Sequence, residues 1–215
     1  MKRLALLLVL FALPASALAQ VGIALRGGTN GAGGDLTFGL NDKLHLRANI
    51  GVLPYSTTGS YDEEEVGLDY TADINVFTAS GIVDFYPTGM IFRLSAGVTY
   101  NATEIDATAR ANESYTAGNR TFSPSQLGSL TANLDYDSKI QPYLGIGFGN
   151  PLRAGKTVGF VLDIGMFYTD APSFEMTGEG MLAPTAESGP GIEAALDGIV
   201  LYPTVSLGIS FAFGT

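Results

Sequence analysis

The chain has 215 residues, enough for one domain or one barrel, with 11 basic residues against 21 acidic ones and no cysteine. The missing cysteine excludes a lipid-anchored lipoprotein, a disulfide scaffold and a thiolate metal centre, and the acid excess makes nucleic acid a poor partner. Charged residues are only 15% of the chain, against roughly 25% in an ordinary soluble domain, while hydrophobic residues reach 46%.

Residues 1–19 read as a cleaved signal peptide. Lys2 and Arg3 form a positive start, Leu4 to Leu13 is an apolar run, and Ala17-Leu18-Ala19 is an A-x-A cleavage pattern before Gln20. The run is too short for the ~20 residues of a spanning helix. Residues 20–215 are then the mature domain.

From there the chain predicts eight strands, roughly 21–29, 32–40, 44–57, 68–86, 91–106, 130–149, 157–175 and 199–213. The alternation is weak in the first two and the fourth. It is clear in the third, where Leu44, Leu46, Ala48, Ile50 and Val52 interleave with His45, Arg47, Asn49 and Gly51. In the fifth, Phe92, Leu94, Ala96, Val98 and Tyr100 interleave with Arg93, Ser95, Gly97, Thr99 and Asn101. The sixth and seventh repeat the pattern through Ile140–Phe148 and Val158–Tyr168. In the last, Leu201, Val205, Leu207, Ile209, Phe211 and Phe213 interleave with mostly small or polar residues. Period two marks a strand with two different faces. With 28 Gly, 10 Tyr and 12 Phe in an exported chain, the large apolar face is expected to point outward to lipid and the small polar face into a lumen.

Connection lengths agree. Asn41-Asp42-Lys43, Thr88-Gly89 and a segment around Asn150–Lys156 are short, while loops near 58–67, 107–129 and 176–198 are long; Asn30-Gly31 is the short exception. Short turns on one side and long loops on the other are the pattern of an outer-membrane barrel with both termini periplasmic. The expected fold is therefore all-β, an eight-stranded antiparallel up-and-down transmembrane β-barrel. Pro142 and Pro203 lie inside strands and predict bulges or gaps.

Six charges fall on the inner face: Arg26, Asp35, Arg47, Asp84, Arg93 and Asp163. A type I′ turn at Asn30-Gly31 sets Arg26 opposite Asp35, and a two-residue turn at Thr88-Gly89 sets Asp84 opposite Arg93. Arg47 then lies diagonally from Asp35. Buried charges persist when paired, so this set predicts a salt-bridged plug and not a wide pore.

The signal peptide, the in-phase strands, the terminal strand Leu201–Phe213 and segments such as Asp84-Phe85-Tyr86-Pro87 and Pro142-Tyr143-Leu144-Gly145-Ile146-Gly147 resemble the small outer-membrane barrels of Gram-negative bacteria. That group includes the OmpA transmembrane domain, OmpX and OmpW. The resemblance covers nearly the whole mature chain. It implies residence in the cell outer membrane among lipids and lipopolysaccharide, handling by the barrel-assembly machinery, and a monomeric state. Such barrels usually end on an aromatic residue, whereas here Gly214-Thr215 follow Phe213.

No enzyme and no cofactor is expected. His45 is the only histidine and faces the lumen by parity, where a hydrogen bond is its plain role; a Ser–His hydrolase site at the lipid surface would need it outside. Gly27–Gly34 lacks the Lys-Ser/Thr of a phosphate loop. The acidic run Asp62-Glu63-Glu64-Glu65 is a weak candidate for divalent cations and more ordinarily a solvated loop. Tyr70, Tyr100 and Tyr168 at the outer ends, with Phe85, Phe92, Phe148 and Phe213 at the inner ends, are candidates for aromatic girdles. The expected function is structural or surface interaction; the alternative is narrow transport of small hydrophobic molecules, as in OmpW, through a break in the wall at the prolines.

Overall fold

The structure, a computed structural model, describes residues 20–63, 66–153 and 155–213. The expected signal peptide lies outside the described residues. The strands are β1 (Val21–Gly28), β2 (Gly31–Asn41), β3 (Leu44–Glu63), β4 (Val66–Phe85), β5 (Phe92–Asn101), β6 (Glu104–Ala111), β7 (Tyr115–Ala117), β8 (Arg120–Phe122), β9 (Ser129–Asp135), β10 (Ile140–Phe148), β11 (Val158–Tyr168), β12 (Ser173–Gly178) and β13 (Leu201–Phe213). Helix α1 (Pro124–Leu127) precedes β9. A 3-10 segment (Gly180–Ser188) and α2 (Gly189–Leu196) link β12 to β13. Among the described residues no helix is long and apolar enough to cross a membrane.

Eight strands close a ring in the order β1-β2-β3-β4-β5-β10-β11-β13, with β13 pairing back onto β1, and every pairing is antiparallel. One end of the ring carries the turns at Asp42-Lys43, Tyr86–Ile91 and Gly149–Thr157, together with Val21 and Phe213. On one side the wall rises beyond the ring. The upper half of β4 pairs with β6, β6 with β9, and β9 with β12.

Three of the expected strands are thus each realised as two segments. β5 and β6 keep one register along β4, from Phe85↔Leu94 to Leu68↔Ala111, interrupted only at Ala102-Thr103. β9 and β10 are separated by 136–139, and β11 and β12 by 169–172, where Pro172 lacks a ladder donor.

Four expectations are corrected. Residues 58–63 and 66–67 are strand, not loop, because β3 and β4 pair without a break from Leu44↔Phe85 to Glu63↔Val66. The outer half of β3, Ser56 to Tyr61, is made of Ser, Thr, Gly and Tyr, so contrast between its faces fades while the strand continues. The first turn is Thr29-Asn30, closed by Gly28↔Gly31. Only Gly31 has a positive φ (85°), so no type I′ turn forms. The β4–β5 connection runs from Tyr86 to Ile91, since Gly89 N–H closes a Pro87-containing turn on Tyr86 O (3.1 Å).

Both turn differences displace the register by two residues. Arg26 therefore faces Gly33, Asp35 faces Ala24 and Asp84 faces Ser95, while Arg93 lies beyond the paired part of β4 and faces Gly147 on β10. An even displacement leaves every side chain on its own face, so the inner charges stay inside. Lastly, Pro142 and Pro203 open no gap. They pair in register with Val98 and Met166, on the outward face, where the ladders run continuously past them.

Candidate functional site in the ring interior

The interior is polar and the exterior apolar. Arg26, Asp35, Arg47, Asp84, Arg93 and Asp163 are all buried, with Arg93 0% exposed. Leu25, Leu144, Phe160 and Leu207 point outward and are 60% exposed or more. Soluble domains bury the second kind and expose the first.

The register places the six charges at one level, and long arginine side chains close the remaining distance. Arg26 pairs with Asp35 and Asp163. Arg47 binds Asp84 through Nε (2.7 Å) and Nη2 (3.0 Å), and also reaches Asp163 (3.3 Å) and Asp35 (3.5 Å). Arg93 donates from Nη2 to both Asp163 oxygens (2.7 and 2.6 Å) and lies 3.6 Å from Asp84. Asp163 thus touches all three arginines, and Arg47 all three aspartates. Three positive charges meet three negative ones, so the cluster is neutral as a whole, the condition under which buried charge is tolerated.

Neutral groups complete it. Ser95 Oγ donates to Asp84 (2.5 Å), Asn49 Nδ2 to Asp35 (2.6 Å), Arg26 Nη1 to Ser206 Oγ (3.2 Å) and Arg93 Nη1 to Gly149 O (2.5 Å). Gly147 stands between Arg93 on β5 and Asp163 on β11, its partner in both registers. A Cβ there would sit 2.6 Å from Arg93 Nε and 2.9 Å from Asp163 Oδ1. Sequence reasoning missed these helpers. The signal available was their inward parity beside charged neighbours.

Above and below, side chains fill the ring. On one side lie Ile82, Tyr143, Phe167 and Tyr202, with Phe167 and Tyr202 stacked at 6.1 Å. Tyr143 lies across Gly145 and Gly165, whose missing side chains make room for its ring. Further up, Gln141 accepts from Asn101 (3.1 Å) and donates to Thr169 (2.8 Å). On the turn side, Tyr86 is fully buried and tilts against His45 at 4.6 Å. His45 faces the interior, and its Nδ1 is buried without a hydrogen-bond partner.

Leu152, in the β10–β11 connection, tucks against Gly22 and Gly39 and closes that end. Leu152→Ala is expected to cost about 2 kcal/mol by opening a void there, read as a lowered urea midpoint. A cavity of about 40 Å³ beside the charges, lined by Arg26, Asn30, Arg47, Asn49, Tyr143 and Ser206 among others, has room for roughly one water.

The aromatic residues are placed at the two ends. Phe92 packs on Phe148 at 5.6 Å near the turn end, and Phe77 packs on Tyr100 of the adjacent strand at 6.4 Å near the opposite end. Tyr70 lies higher, in the wall above the ring, opposite Gly59. Of the acidic run, Glu64 and Glu65 lie outside the described residues. Asp62 and Glu63 end β3, their backbones paired with Gly67 and Val66. Among the described residues no group of three or more His, Cys, Asp or Glu is placed to hold a metal ion.

Solved structures share this architecture. The fold is that of outer-membrane β-barrel proteins. CarO2 from Acinetobacter baumannii superimposes with a TM-score of 0.61 and 22% identity, covering 91% of this chain and 99% of CarO2. CarO from the same organism gives 0.61 and 21%, over 92% of this chain and 99% of its own. A major outer membrane protein from Thermus thermophilus matches more loosely, at 0.47 and 14%, over 91% and 100%. No protein-family model matches the chain, and no curated protein matches it in sequence.

Proposed function

We propose that the chain is an integral protein of the cell outer membrane, an eight-stranded up-and-down transmembrane β-barrel with a closed lumen and a structural or surface-interaction role. The observation that carries this reading is the inverted polarity of the ring: a neutral Arg–Asp cluster inside and apolar side chains outside on all eight strands. An exposed apolar surface of that extent is stable only in a non-aqueous medium. The turn-bearing end, with both chain termini, faces the periplasm, and the long connections face outward. The partners are outer-membrane lipids, lipopolysaccharide and the assembly machinery, the protein is a monomer, and it performs no catalysis. Residues 1–19 serve as the cleaved export signal.

Narrow transport of hydrophobic molecules is the weaker reading. Both prolines face outward within continuous ladders, and the lumen is filled by charged, aromatic and amide layers. The test has two parts. The folded protein should require detergent and migrate faster in a gel before boiling than after; solubility without detergent sinks the membrane reading. In planar bilayers it should show no stepwise conductance, and steady channels would overturn the closed lumen.

A further inference from the structure

The rising wall of β3, β4, β6, β9 and β12 inverts the polarity of the ring beneath it. On β4 the inward side chains change from Asp84, Ile82, Ser80 and Thr78, polar but for Ile82, to Ile74, Ala72, Tyr70 and Leu68, while the outward ones change from Phe85, Val83 and Phe77 to Asn75, Asp73, Thr71 and Asp69. The register extends this across five strands. One inner row is Tyr55, Ile74, Ile105, Leu134 and Phe174, and the next begins Ala72, Ala107, Ala132 and Met176. On the outer face one row is Thr58, Thr71, Thr108, Thr131 and Thr177, flanked by Ser56, Asp73, Asp106, Asn133 and Glu175.

A slip of register cannot explain this on β3 and β4, whose pairing is unbroken through the level of change. There the residue pattern itself changes phase. β9 and β10 reach the same result differently. Leu130, Ala132, Leu134, Ile140 and Leu144 keep one parity throughout. However, the register sum slips by one between Ile105↔Leu134 and Tyr100↔Ile140. The irregular stretch at 136–139 thereby turns an inward series into an outward one, as a bulge does. Two independent routes thus place the inversion at one height. The wall's inner face is covered at its far edge, where Gly189 of α2 abuts Met176 and Leu182 and Ala183 abut Gly178.

We propose that the hydrocarbon boundary of the outer leaflet crosses the sheet between these levels, between Phe77 and Asp73 on β4, and that the five-stranded wall above it stands in water as an external subdomain. This rests on the outer-membrane reading. The solvent decides which face of a sheet is apolar: below the boundary the outer face meets acyl chains, and above it the outer face meets water and the apolar residues pass to the inner face. Heights agree. At roughly 3.3 Å per residue and a tilt of roughly 40°, Phe85 to Phe77 spans about 20 Å and Val158 to Tyr168 about 25 Å, matching an apolar band of roughly 25 Å.

The chain has no native cysteine, so single-cysteine variants carry one nitroxide label each. In lipid vesicles, oxygen and a water-soluble nickel complex compete to relax the label. On β4, Val83→Cys, Ala79→Cys and Phe77→Cys should favour oxygen, and Asp73→Cys, Thr71→Cys and Asp69→Cys should favour nickel. On the neighbouring strands β5 and β6, Leu94→Cys and Thr108→Cys form the same contrast, so loss of folding in one variant, seen by gel migration, leaves the other pair to decide. Oxygen dominance at residues 71, 73 and 108 overturns the proposal while leaving the barrel in the membrane. Nickel dominance at 83 and 94 as well removes the membrane reading itself, and the boundary with it.

Discussion

Arg93→Ala is expected to lower the stability of the folded ring by about 3–5 kcal/mol, the cost of stripping one partner from a buried ion cluster. Arg93 is 0% exposed. It holds both Asp163 oxygens and caps Gly149 O. Its removal leaves three carboxylates against two guanidinium groups in a buried interior. Lys139→Ala should shift stability by no more than about 0.5 kcal/mol, because its 3.6 Å pair with Glu104 is half-exposed and screened. Asp163→Ala should cost at least as much as Arg93→Ala, since Asp163 alone contacts all three arginines. The double variant Arg93→Met with Asp163→Leu should cost less than the sum of the two single changes, because it removes charge in balance. Urea titrations in lipid vesicles, read by the heat-shifted gel band, supply the midpoints. Equal midpoints for Arg93→Ala and Lys139→Ala would refute the plug.

The side on which each of these charges lies was legible in the sequence, and which partner each meets was not. Period two fixes the face of Arg26 or Asp84 from parity alone, and a two-residue displacement of register leaves that face unchanged. The pairs depend on the turns. On composition Asn30-Gly31 is the better two-residue turn, yet the chain turns one residue earlier, at Thr29-Asn30, with Gly31 at positive φ as the first residue of the next strand. The rising wall was hidden for a different reason. Strands are recognised by contrast between alternating residues, and in 56–61 Ser, Thr, Tyr and Gly offer little contrast before the acidic pair Asp62-Glu63. The segment therefore reads as loop although its backbone pairs without a break. The same applies to Gly180–Leu196, where short turns of helix leave no apolar stripe to detect. The cut strands at 102–103, 136–139 and 169–172 were read as continuous because the hydrophobic series runs straight through at least the second of them. A bulge changes where side chains point without changing their order.

Gly147 shows what parity alone misses. In sequence it is one of several small residues alternating with Leu144, Ile146 and Phe148, and it reads as an unfilled lumen position. In the ring its missing side chain is the gap across which Arg93 and Asp163 meet. Gly147→Val should therefore cost about 3 kcal/mol or more: overpacking in a tight interior costs about 1–3 kcal/mol, and displaced guanidinium or carboxylate groups lose charge-assisted bonds as well. Gly81→Ala is the matched control, since its Cβ would meet no atom within 4 Å and the change should be nearly neutral. If the loss at Gly147→Val comes through the ion cluster, then combining it with Arg93→Met should add little to the loss from Arg93→Met alone, because the contact it blocks is already gone. Full additivity of the two midpoint shifts would assign Gly147 to general packing and detach it from the charge cluster.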